Sequence, residues 1–139
     1  MLHKALLIAT RVHQHQQDRY GAPYLRHVMR VAERGRNDDE RTVGLLHDVV
    51  EDSPMTLDDL RREGFPEHVV RAVDCLTKRE GEPYDQFVDR TKTDKLAIAV
   101  KLNDLEDNMD VRRAPHLEEK DLERLNKYLK AWHQLVQLR

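Results

Sequence analysis

Val43-Gly44-Leu45-Leu46-His47-Asp48-Val49-Val50-Glu51-Asp52 sets two pairs of ionisable residues into an otherwise apolar run. Such a run belongs in a core, and an ionised carboxylate buried there is costly unless it is paired or binds a metal. Val43, Leu46, His47 and Val50 recur at helical spacing. The stretch therefore reads as the inner face of a helix from about Asp39 to Val50, stopped by Ser53-Pro54. If that helix continues through Asp52, Glu51 stacks on His47 and Asp52 on Asp48, each four residues on. A ligand pair then lies beside an acid/base pair. The plainer alternative is a capping Asp next to a satisfied core histidine, and both readings stay open on this stretch alone.

Outward from it, the same period recurs. Leu2 to Gln17 places Leu2, Ala5, Leu6, Ala9, Val12 and His13 on one face before Gly21-Ala22-Pro23 breaks the chain. A second helix runs from about Pro23 to Arg34, with Leu25, Val28, Met29 and Ala32 inward, and Gly35 to Asp38 turns. Thr56-Leu57-Asp58-Asp59 has the form of a capping box and opens a short helix ending near Glu63-Gly64. Pro66 starts the next helix, with Val69, Val70 and Val73 inward. Tyr84 to Arg90 follows a polar loop. Thr93 caps a longer helix to about Asp110, and Leu117 to Leu138 forms the last, with Leu122, Leu125, Leu129, Trp132, Leu135 and Val136 apolar. No alternating strand pattern appears. The expectation is an all-α, single-domain helical fold over residues 1–139, with about seven or eight helices.

Composition bounds the function. With 139 residues the chain is expected to form one domain, without a second catalytic one. Its 24 Lys+Arg against 26 Asp+Glu give a net charge of −2, which argues against a nucleic-acid partner. No apolar run suits a membrane span, and no signal peptide is read. A single Cys allows neither an internal disulfide nor a cysteine-rich zinc site and points to a reducing, cytoplasmic location.

Three further polar positions join His47 and Asp48. His27 lies among Leu25, Val28 and Met29, where a lone histidine is usually a core residue with one hydrogen bond. Asp104 and Asn108 lie four apart in the long helix, where Glu106, Asp107 and Asp110 give the look of a solvated face. Two imidazoles and two carboxylates nevertheless suit Mn²⁺, Fe²⁺, Co²⁺ or Zn²⁺, with room for water.

The order His27, His47-Asp48, Asp104 resembles the metal-dependent HD-domain phosphohydrolases. The wider text resembles the hydrolase domain of RelA/SpoT-type proteins and the small alarmone hydrolases. The matching pieces are Gly21-Ala22-Pro23-Tyr24-Leu25-Arg26-His27, Leu45 to Asp52, and Val100-Lys101-Leu102-Asn103-Asp104-Leu105-Glu106-Asp107-Asn108-Met109. The resemblance implies an HD fold holding one divalent ion, most often manganese, on His27, His47, Asp48 and Asp104. It implies that Glu51 and Asp52 orient or deprotonate the attacking water and that Asn108 lies near the nucleotide sugar. The reaction implied is removal of the 3′-pyrophosphate from guanosine tetra- or pentaphosphate.

The family carries two basic residues before this point and a Glu before its Pro-Tyr. Here Asp18 stands at the first basic position, Arg19 matches the second, and Ala22 replaces the Glu. Arg19 and Lys78 are the expected substrate cations, with Arg79 a neighbour. These departures keep open a nucleotidase or NADPH-like nucleotide phosphatase with the same metal site, and a non-catalytic nucleotide sensor stands as the reading from another class. Trp132 and its leucine neighbours read as core or as a homodimer seam. Of His13 and His15, one is expected to pack inward, and Cys75 is expected buried and inert.

Overall fold

The computed structural model describes Met1–Arg139 as helices joined by short loops. They are α1 (Leu2–His13), α2 (Tyr24–Glu33), α3 (Asp38–Leu46), α4 (Val49–Asp52), α5 (Leu57–Arg62), α6 (Glu67–Leu76), α7 (Tyr84–Thr91), α8 (Lys95–Asn108) and α9 (Glu119–Val136), with a 3-10 turn at Val111–Arg113. There is no strand; one isolated bridge, Gln17 to Pro23, closes the loop between α1 and α2. No helix is long and apolar enough to cross a membrane.

The all-α expectation holds, and all eight expected helices are present. The decisive stretch departs from it in one respect. It does not form one regular helix, because α3 ends at Leu46 and α4 begins at Val49. Asp48 sits at φ −107° and ψ 1°, outside the helical region, so the doublet forms a kink. Other boundaries shift for local reasons. α1 ends at His13, and Asp94 rather than Thr93 caps α8, its carboxylate accepting from Ala97 N at 2.9 Å. α9 starts at Glu119, after a capping box between Glu118 and Asp121. The Thr56–Asp59 capping box forms as read, with bonds of 3.1 and 2.9 Å.

α8 is the axis of the fold. Residues Ala97 to Leu105 are all buried. Ala97 and Val100 face a large core shared with α1 to α6, including Val28, Val43, Leu46, Val49 and Val70. Ile98, Leu102 and Leu105 face a second core with Val88 of α7 and Ala131 and Leu135 of α9. α9 packs through that one strip, so Leu122 and Leu129, apolar positions of the expected last helix, are exposed. Leu6 and Met29 are also exposed, at the edges of α1 and α2. Cys75 is only half-buried, which corrects the expectation of full burial.

Gly44 decides how closely α2 and α3 pack. A Cβ there would meet Ala32 Cα at 3.0 Å and Ala32 N at 3.2 Å. The missing side chain lets α2, which carries His27, lie directly against α3, which leads into His47.

Candidate metal centre

His27 from α2, His47 from the kink and Asp104 from α8 converge in the interior. Their candidate ligand atoms all lie within 4.8 Å of one another. His27 Nε2 is 3.0 Å and His47 Nε2 3.4 Å from the same oxygen, Asp104 Oδ1. Both Nε2 atoms are buried without a hydrogen-bond partner. These are close approaches, not hydrogen bonds.

The other ring nitrogens explain the orientation. His47 Nδ1 lies 2.6 Å from Gly44 O. A carbonyl only accepts, so Nδ1 carries the proton and Nε2 presents its lone pair. His27 Nδ1 lies 2.6 Å from Asp107 Oδ2, which fixes the same tautomer. Two buried lone pairs aimed at one carboxylate oxygen are the donor set a divalent ion takes, so the residues fit a metal.

Charge points the same way. Burial works against charging His47, yet the Asp48 and Asp104 carboxylates outweigh it and hold its pKa well above the usual imidazole value. Burial also opposes the Asp104 carboxylate, but Lys101 and the two histidines hold it well below the usual range. Without an ion this field favours a proton on His47 Nε2, between Asp48 and Asp104, and a dication would take that proton's place and leave the lone pair to bind it.

Asp48, the fourth expected ligand, lies beside this trio. Its Oδ2 is 3.1 Å from His47 Nε2 and accepts a short hydrogen bond from the Tyr24 hydroxyl. Lys101, fully paired in the interior, donates to Asp104 Oδ2 at 3.0 Å, and Asn108 donates to Asp104 Oδ1 at 3.1 Å.

The two expected acid/base residues part company. Glu51 opens onto a cleft of about 230 Å³ shared with His47, Asp48 and Asp104, and accepts from the Lys78 backbone N–H at 2.9 Å. Burial, then the charges of Asp48 and Asp52, push its carboxyl upward against that hydrogen bond. Asp52 turns toward α1 and accepts from Gln16 Nε2 at 3.1 Å; burial raises it too. Gln16 in turn meets His13 Nδ1 at 2.7 Å, so His13 is the inward one of the pair.

A second cleft, of about 290 Å³, adjoins the first through Tyr24, Asn108 and Tyr128. It is lined by Arg19, Arg30, Arg113 and Arg124. Lys78 lines the first cleft, so the three expected substrate contacts divide between the two, with Asn108 at the junction. Asp18 also lines the second cleft, with one of its oxygens given to the backbone. Its carboxylate accepts from Tyr20 N at 2.9 Å and Ala22 N at 3.0 Å and folds the loop before Tyr24.

Sequence reasoning missed Asp107. It is fully buried, binds His27, and takes Arg30 Nε at 2.7 Å on its other oxygen. Burial opposes its charge, but the bonds from His27 and Arg30 hold it at about 2. Tyr24 and Lys101 were also passed over as site residues, although a lysine inside the apolar run Leu96 to Leu105 was a readable signal.

Fold and site together define an HD-like all-α domain with a candidate metal centre. No family model matches the chain. Comparison with known proteins relates it to the RelA/SpoT-type proteins. It is 33% identical over 103 residues to a GTP pyrophosphokinase of Streptomyces coelicolor, covering 71% of this chain and 12% of that protein. It is 29% identical over 120 residues to guanosine-3′,5′-bis(diphosphate) 3′-pyrophosphohydrolase of Aquifex aeolicus, covering 78% and 17%. The chain thus spans less than a fifth of the length of these curated relatives. Its fold matches a solved metazoan orthologue of SpoT, described as hydrolysing ppGpp, with a TM-score of 0.80 at 21% identity over 99% of this chain and 85% of that one.

Proposed function

We propose that residues 1–139 form a single metal-dependent phosphohydrolase unit acting on a phosphorylated nucleotide, with guanosine 3′,5′-bis(diphosphate) 3′-pyrophosphohydrolase as the specific activity. One observation carries this reading: two buried, unpartnered Nε2 atoms face Asp104 Oδ1 where the two clefts adjoin, His47 and Asp104 lining the lysine cleft and His27 the arginine cleft. The relatives named above supply the substrate class.

His27, His47 and Asp104, with Asp48 swinging in beside them, would hold one divalent ion, manganese being the first choice and Fe²⁺, Co²⁺ or Zn²⁺ the others. A bound ion would supply Lewis-acid polarisation of a phosphoryl oxygen and a more acidic water. The chain's own residues do the rest. Glu51, whose carboxyl burial makes more basic, accepts the proton of the attacking water. Asp52, held by Gln16, keeps negative charge close to Asp48 and raises the basicity of Glu51. Lys78 and Arg19 meet the substrate's phosphates, and Asn108 meets the sugar between the two clefts.

A nucleotidase or NADPH-like phosphatase reading shares this centre. It gains support from Asp18, whose carboxylate braces its own loop where the resembling family offers a cation. A metal-supplemented panel of ppGpp, NADPH and nucleoside monophosphates separates the two. Release of phosphate or pyrophosphate is expected to depend on the ion and to vanish in His47→Ala and Asp48→Ala. Glu51→Gln is expected to keep the metal and lose rate. No turnover anywhere on the panel would sink the enzyme reading in favour of a nucleotide sensor.

A further inference from the structure

The metal-side cleft contains three ammonium groups, and they are not equivalent. Lys101 is buried and committed to Asp104 Oδ2 at 3.0 Å. Lys78 lies on the loop after α6; its backbone N–H donates to Glu51, and its ammonium is unpaired and rests on no aromatic ring. Lys127 reaches in from α9 and forms no ion pair. It is seated instead on aromatic faces, 4.5 Å from the Tyr84 centroid and 5.6 Å from that of Tyr128. Lys101 lies over the same Tyr84 ring at 5.8 Å. Two amines therefore share one aromatic partner, and neither burial nor the neighbouring Lys101 and Lys78 favours the charge on Lys127. An unpaired cation held in place by rings and crowded by like charges lacks an anion.

Hydrolysis of a sugar diphosphate shows which anion fits. Water adds to the phosphorus next to the sugar, the bond from that phosphorus to the sugar oxygen breaks, and the sugar leaves as a hydroxyl that takes up a proton. The P–O–P bond survives, so the distal phosphate is a spectator that only needs binding. The residues around Asp104 serve the attacked phosphorus, and Lys101 is already spent on Asp104. We propose that Lys127 clamps the distal phosphate and selects diphosphoryl over monophosphoryl esters. This rests on the phosphohydrolase reading above and adds a specificity determinant to it.

The test is calorimetric titration of metal-loaded wild-type protein and Lys127→Met with inorganic pyrophosphate and with orthophosphate. Lys127 is exposed, and Met keeps the helix and the stem, so the variant folds. Wild type is expected to bind pyrophosphate at least about tenfold tighter than orthophosphate, a difference that one charge-assisted contact can supply. Lys127→Met is expected to lose that preference with orthophosphate affinity unchanged, and Lys127→Arg to restore it. Equal losses on both anions, no loss, or no wild-type preference would each overturn the proposal. The kinetic counterpart is kcat/KM on a nucleoside 3′-diphosphate against its 3′-monophosphate, where the ratio should fall in Lys127→Met. If wild type turns over no nucleotide, the phosphohydrolase reading fails, and the anion titration still decides the role of Lys127.

Discussion

Asp107→Asn changes almost nothing in size and removes the charge that orients His27. Asp107 accepts from His27 Nδ1 at 2.6 Å on one oxygen and from Arg30 Nε at 2.7 Å on the other, with no solvent exposure. An amide has a single acceptor oxygen. Turned toward His27, it aims its NH₂ at a guanidinium; turned toward Arg30, it aims the NH₂ at the Nδ1 proton. The turn toward His27 loses least, because Arg30 Nη2 lies 3.2 Å from the same oxygen; only the Arg30 Nε bond goes, which costs about 2 kcal/mol as a charge-assisted hydrogen bond. The full penalty of a broken buried ion pair does not apply, because the Arg30 side chain is 33% exposed and can turn to water. The effect on the metal is separate. Loss of the partner behind a ligating imidazole weakens metal binding by about 10- to 100-fold. Chelator competition for Mn²⁺, with urea unfolding of the metal-free protein alongside, measures the two effects independently. Arg30→Met is the control: it removes the cation that touches both Asp107 oxygens, leaves the His27 Nδ1 bond, and should leave metal affinity intact. If Asp107→Asn lowers stability while metal affinity holds, Asp107 merely ties α2 to α8 and the positioning argument is wrong.

Gly44→Ala should destabilise the fold by about 1–3 kcal/mol through overpacking, because its Cβ would lie 3.0 Å from Ala32 Cα, on backbone that cannot rotate away. The helix-propensity gain of Ala over Gly, about 1 kcal/mol, works in the opposite direction. A higher urea midpoint in this variant would therefore refute the close-approach argument. Glu82 is held at about 2 by Arg90, which contacts both its oxygens and reaches the carbonyls of Asp74 and Thr77. Its folded pKa is depressed, so its contribution is present above the usual carboxylate range and is lost as pH falls toward 2. Glu82→Gln should be less stable than wild type at neutral pH, and the gap in urea midpoint should close near pH 2. A gap that stays constant would show that Arg90 does not depend on the charge.

Much of the fold was legible because its helices alternate apolar and charged faces and its breaks fall at Gly and Pro. α8 defeats that logic. It is buried on both sides, so its pattern shows no clear inner face, and Asp107 looked like a neighbour of the solvated Glu106. Of the candidate metal trio, His47 was legible as a polar residue set in an apolar run, where burial needs a purpose; His27 and Asp104 each had a plainer reading alone, a core histidine and a solvated face, and joined it through the order they share with the resembling family. The partners that give the trio its chemistry are remote in sequence. Tyr24 meets Asp48 across 24 residues, His27 meets Asp107 across 80, and Lys127 reaches Tyr84 from another helix. No local spacing encodes such pairs, and they emerge only when α2, α8 and α9 close around the kink.

The kink itself is where chain and chemistry meet. A helix that stops leaves its last carbonyls without amide partners. α3 stops at Leu46, and the carbonyl of Gly44, within that last turn, accepts from His47 Nδ1. Had the helix run on regularly, that carbonyl would also bond to the amide four residues later; here it is left to the imidazole. The same glycine, lacking a Cβ, lets α2 come close enough for His27 and His47 to pack edge to face with ring centroids 5.7 Å apart. The backbone at position 44 thus sets the proton position on one imidazole, and the missing Cβ sets the distance to the other. A larger residue there would push α2, and His27 with it, away from His47.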